Sequence, residues 1–155
     1  MKKTYNCLFV IAMSIMLITA CNHFKMETPY GFAELKNDNK YKFRAVSANN
    51  SVFTINQWDN DEEASTDFWY KVSLNYLIQK KGYKFVEEGK IKTNNDIEGK
   101  YGIFETLFNG IKTRYMILIF ADDSKIINIE YTGAEKDFKT EFEVIKKAIN
   151  EMTVG

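Results

Sequence analysis

Few residues in this 155-residue chain have side chains suited to a catalytic centre. There are two cysteines, Cys7 and Cys21, and one histidine, His23. Beyond Cys21 no thiol remains, so that stretch has no disulfide, no thiol nucleophile and no thiolate metal ligand. His23 follows Cys21 by two residues and reads as a solvated linker residue. Ser-His and Cys-His catalysis and the usual zinc sites therefore drop out. An enzyme built on this chain would have to work with carboxylates, Lys, Tyr or Ser.

The carboxylates form three groups, each with a plain structural explanation. Asp59, Asp61 and Glu63 have the spacing of a calcium loop. An EF-hand, however, wants glycine where Ala64 stands and glutamate where Tyr70 stands. Acids at a helix start are stabilising anyway, because unpaired N–H groups carry partial positive charge there. Asp122 and Asp123 suit a tight turn. Glu87 and Glu88 share a strand with Lys84 and Lys90, which points to cross-strand charge pairing. Gly99 and Gly102 bracket a strand start and make no phosphate loop, since no helix follows to offer its N-terminus. No catalytic, cofactor-binding or metal-binding residue is expected. Aromatics remain: Phe68-Trp69-Tyr70 reads mainly as core. Trp58, Phe68 and Trp69 are the candidates for contact with a partner or ligand.

The first 21 residues have a different character. Lys2 and Lys3 open a run from Leu8 to Ile18 that contains no charge. The run is too short for a bilayer core, which needs about 20 residues, and it fits a cleaved secretory signal. It ends in Ile18-Thr19-Ala20-Cys21, small residues directly before a cysteine. This stretch resembles the signal peptide of a bacterial lipoprotein. The resemblance implies cleavage before Cys21, a diacylglycerol on its thiol and an acyl chain on its new amine. The expected location is the cell envelope, lipid-anchored to a membrane (the outer membrane facing the periplasm in a Gram-negative cell). Several acyl chains hold stably, at about 0.8 kcal/mol per buried CH₂. The whole chain carries 21 basic and 21 acidic residues. Removing Lys2 and Lys3 leaves a net charge of −2, which argues against nucleic acid as a partner.

Residues 21–40 read as a lipidated N-terminus and tether, with Tyr30 to Leu35 able to pair onto a sheet edge. Residues 41–155 read as one domain. Alternation in Tyr41–Val46 and Val52–Trp58 around the polar Ser47–Ser51 predicts a hairpin. Ser65 is a candidate N-cap for a helix ending near Lys81, with Gly82 as its stop. That helix is apolar on two sides: Phe68, Trp69, Val72 and Tyr76 form one stripe, and Leu74, Leu77 and Ile78 another. Such a helix is either sandwiched or presents aromatics to a partner. Strands follow over Tyr83–Ile91, Lys100–Phe108, Ile111–Ala121 and Lys125–Thr132, with Asn109-Gly110 as a hairpin turn. Gly133 breaks the last strand. A second helix, Glu135–Met152, carries Phe138, Phe142, Ile145, Ile149 and Met152 on one stripe. Tyr115–Phe120 is apolar throughout and should be covered on both faces. The order β-β-α-β-β-β-β-α predicts an α+β fold: a largely antiparallel sheet with helices on both faces, an α/β/α sandwich.

The layout resembles the PsbP-like fold. The residues that carry the likeness are Lys81-Gly82-Tyr83, Asn109-Gly110, Tyr115–Phe120 and Ile129-Glu130-Tyr131-Thr132-Gly133, followed by Phe138 and the closing helix. Tyr30-Gly31-Phe32 lacks the Phe-Pro-Trp type of opening found in bacterial members. The resemblance implies binding rather than catalysis. Two functions compete: a lipid-anchored, non-enzymatic envelope protein that binds another envelope protein, and a carrier with a small-ligand pocket between the aromatic helix and the sheet. A concave apolar pocket favours the carrier. A flat exposed aromatic patch favours the protein partner.

Overall fold

Asn109 and Gly110 both have positive φ, 51° and 78°. That backbone suits a two-residue turn whose twist matches its flanking strands. The turn fixes the longest hairpin, in which Phe108 pairs with Ile111 and Lys100 with Ile119. The computed structural model describes residues 23–36 and 40–155. Cys21 and the signal sequence lie outside the described residues.

In chain order the elements are β1 (Phe24–Lys25), β2 (Phe32–Glu34), β3 (Phe43–Ser47), β4 (Val52–Asp59), α1 (Thr66–Gln79), β5 (Lys84–Lys92), β6 (Glu98–Phe108), β7 (Ile111–Ala121), β8 (Lys125–Ala134), α2 (Glu135–Glu151) and β9 (Thr153–Val154). The main sheet has seven strands in the order β2-β3-β4-β8-β7-β6-β5. Every pairing in it is antiparallel. The fold is α+β. Ser65 caps α1 as expected, its side chain accepting from Phe68 N at 3.3 Å. Gly82 follows the helix at φ +69°.

Three expectations need correction. Tyr30 to Leu35 pairs onto the sheet edge as expected, as β2 against β3, but the stretch read as a tether also contributes β1, which pairs with β9. His23 is not a solvated linker residue. Its Nε2 lies 2.6 Å from Asp122 Oδ2, and its backbone N–H donates to Gln57 Oε1 at 2.8 Å. Gly133 does not break β8, which continues to Ala134. A Cβ at Gly133 would meet the Tyr131 and Ser51 hydroxyls, so close approach explains this glycine rather than chain reversal.

Neighbouring residues of a strand point to opposite sides, and β7 divides accordingly. Met116, Leu118 and Phe120 join a cluster with Phe142, Ile145 and Ile149 of α2. Ile117 and Ile119 join a second cluster with Tyr70 and Leu77 of α1. Within the first cluster sits Glu141, a buried carboxylate on α2. It accepts from Ser47 Oγ at 2.8 Å, Asn49 Nδ2 at 3.2 Å and Tyr131 OH at 2.6 Å. Burial acts to raise its pKa. The hydrogen bonds from Ser51, Tyr131, Ser47 and Asn49 outweigh burial and hold it below the ordinary glutamate value. A buried charge is tolerated when its lone pairs are used in this way.

Candidate binding groove

The apolar stripe of α1 is not all core. Tyr70 and Leu77 are buried, whereas Phe68 is 50 % exposed, Val72 45 % and Tyr76 52 %. The helix rests on β6 and β7 and leaves the floor beside β8 and β4 open. Between them runs a half-open groove of about 540 Å³, within the usual range for ligand sites, about 300–1,000 Å³. Its walls are Trp69, Val72 and Tyr76 of α1 and Trp58 of β4; its floor is Ile117, Ile119 and Ile126. Trp58, also 50 % exposed, stands at the rim.

Two of the three aromatics singled out from sequence meet here. Trp58 and Trp69 both line the groove. Phe68 packs edge-on against Trp69, with ring centroids 5.3 Å apart, and stands outside the lining. Trp69 is fixed from below. Its Nε1 donates to Asn60 Oδ1 at 2.9 Å, and Asn60 Nδ2 donates to Ala64 O at 2.9 Å. Asn60 is itself buried, so the loop before α1 holds one groove wall in place.

The far end of the floor is polar. Tyr115, Asn128 and Glu130 line it. Asn128 Nδ2 donates to Glu130 Oε1 at 2.7 Å. Burial pushes the Tyr115 phenol well above its ordinary pKa, and the charge of Glu130 and a hydrogen bond to it add to the effect. Sequence reasoning did not single out Asn128 or Glu130, although a signal was present. In Ile126-Ile127-Asn128-Ile129-Glu130 the two polar residues share one side of an otherwise apolar strand.

The acidic groups have structural work. Asp59 pairs with Lys125 Nζ, and that contact holds its carboxyl below the ordinary value. Asp122 Oδ1 accepts from Ser124 N and Lys125 N, both at 2.8 Å, as an aspartate does in a turn. Burial works to raise Asp122. The hydrogen bonds from His23, Ser124 and Lys125 overcome this and keep it well below the carboxylate range. The charges of β5 pair across to β6, as expected from the sequence. Glu88 accepts from Tyr70 OH at 2.9 Å and lies 3.5 Å from Lys100 Nζ, while Lys90 pairs with Glu98. The β5–β6 register shifts between Phe85 and Glu87, which marks a bulge in the edge strand. Among the described residues, no group of three His, Cys, Asp or Glu could hold a metal ion, and no helix is long and apolar enough to cross a membrane.

No family model matches the chain, and no curated relative does. Solved structures do. LpqN of Mycobacterium tuberculosis, involved in cell envelope biogenesis, superposes with a TM-score of 0.69 at 6% identity, over 84% of this chain and 82% of its own. The Ran-binding protein Mog1p of Saccharomyces cerevisiae gives 0.59 at 8%, over 85% and 90%. The cyanobacterial PsbP protein of Synechocystis sp. PCC 6803 gives 0.57 at 9%, over 86% and 87%. At these identities the likeness speaks for the fold alone, and the fold is PsbP-like and Mog1-like.

Proposed function

We propose that this chain is a lipid-anchored, non-enzymatic binding protein of the bacterial cell envelope that works through the groove beneath α1. The observation that carries the binding site is the half-open groove itself, apolar along most of its length, with Trp58, Val72 and Tyr76 presented to solvent. In this reading α1 and α2 are the outer layers of an α/β/α sandwich, and the groove is the gap left by incomplete cover from α1. The anchor reading rests on Ile18-Thr19-Ala20-Cys21 after an uncharged run. At fold level, an envelope protein and a Ran-binding protein among the similar structures agree with a binding role.

Concavity favours a small ligand as the occupant. The exposed rim of Trp58 and Phe68 keeps a second reading, docking of another envelope protein. An environment-sensitive apolar dye, titrated against wild type and Val72→Glu, separates groove binding from surface adsorption. Saturable binding that the substitution abolishes is the expected result; equal binding by both proteins would discard the groove. For the anchor, label from a fatty-acid analogue should appear on wild type and vanish from Cys21→Ser. Equal label on both would end the lipoprotein reading.

A further inference from the structure

We propose that the groove takes a small organic cation: a protonated primary amine on an apolar or aromatic body. The ammonium group sits at Glu130, and the body lies against Trp58, Val72 and Ile119. This rests on the groove being the binding site and adds what it selects.

The lining is one-sided in charge. Its carboxylates are Asp59 and Glu130, its phenols Tyr76 and Tyr115, and among the described residues no Lys, Arg or His lines it. The Asp59 charge is shared with Lys125 at the outer end. Glu130 at the inner end accepts from the Asn128 amide, and the Tyr115 phenol lines the same end. Arg44, which stacks over Tyr41, lies two strands away in the same register row, Glu130–Thr54–Arg44. Four aromatic rings, those of Trp58, Trp69, Tyr76 and Tyr115, border the space. The faces of such rings attract cations.

The placing of Glu130 supplies the second observation. Asn128 is 5 % exposed, and its Nδ2 donates to Glu130 Oε1 at 2.7 Å, which holds the carboxylate at the inner end of the floor. Glu130 is itself only half-buried. An ammonium N–H at that end meets the Glu130 charge. An anion would face two carboxylates. A quaternary ammonium would enjoy the rings but has no N–H to give.

Four probes of one shape test this: 2-phenylethylammonium, its N,N,N-trimethyl analogue, 2-phenylethanol and 3-phenylpropionate. Binding is read by calorimetry and by Trp58 and Trp69 fluorescence on the full chain in phosphatidylcholine nanodiscs, with empty nanodiscs subtracted. The primary ammonium should bind at least about tenfold tighter than the alcohol or the trimethyl compound, and the carboxylate should not bind. Glu130→Gln should cost the ammonium about tenfold and leave the alcohol unchanged. Val72→Lys, at a half-exposed helix position that spares the floor, should weaken the ammonium about as much. Carboxylate binding as tight as the ammonium, or no loss in both variants, overturns the proposal. If alcohol and ammonium bind alike, cation selection falls and the groove stands. If no probe binds, both fall.

Discussion

The two helices pack on the same sheet in opposite ways. α2 buries Phe142, Ile145 and Ile149 almost completely, and even its carboxylate, Glu141, is enclosed and satisfied. α1 buries Tyr70 and Leu77 but leaves Phe68, Val72 and Tyr76 half in solvent. A region built for stability closes its apolar surface. A region that leaves apolar surface open beside a concavity has the character of a site. The contrast thus separates the part of the molecule that holds the fold from the part that is available to a ligand.

Mutations in β7 test this contrast most strongly. Leu118 is fully buried in the α2 cluster, so Leu118→Ala should cost about 3–5 kcal/mol in urea unfolding. Ile117 borders the groove. Its surroundings can relax or admit water, and Ile117→Ala should cost about 2 kcal/mol, the low end for such changes. Equal losses would mean that the α1 side is packed as tightly as the other.

Glu141→Gln comes next, at about 1–3 kcal/mol, since Tyr131, Ser47 and Asn49 lose a charged acceptor. Its pH dependence has a definite sign. The folded pKa lies below the unfolded one. The carboxylate therefore contributes its full stability above the unfolded value, about 4.3, and loses it as pH falls through the depressed folded value. The stability gap between wild type and Glu141→Gln should be largest near neutral pH and shrink in acid. A gap that stays constant as the pH falls through the acid range would show that ionisation is not the source.

The smallest effect on stability should come from Tyr76→Ser, within about 0.5–1 kcal/mol by thermal melting, as for exposed positions generally. The same substitution should weaken occupancy of the groove severalfold. A large drop in melting temperature would mark Tyr76 as core.

Much of this was legible in the sequence because it is local. The Asn109-Gly110 turn, the Ser65 cap and the Phe138-to-Met152 stripe each depend on residues a few positions apart. The groove was half legible. The stripe of Phe68, Trp69, Val72 and Tyr76 marks a second apolar side on α1, but whether it faces the sheet depends on how the helix is rotated on it. That rotation is set by tertiary packing. The Tyr70–Glu88 bond joins α1 to β5, and strand alternation does not tell which helix residue lies over a given strand position. β1 and β9 were out of reach: two residues carry no periodicity, and their pairing joins Phe24 to Val154. The His23–Asp122 contact spans a similar distance along the chain.

The clasp that fixes His23 beside Asp122 would also set the length of a leash if Cys21 carries lipid. Cys21 precedes His23 by two residues, which can span at most about 7 Å in any conformation. A domain acylated at Cys21 would thus be held almost against the headgroups, with the Asp122–Lys125 turn nearest the bilayer. Trp58 belongs to the same end of the sheet, paired with Ile126, and its neighbour Gln57 is bonded to His23. The outer mouth of the groove would then open along the membrane surface. Its contents would be drawn from molecules concentrated at the lipid–water boundary, with the open compartment beyond a lesser source.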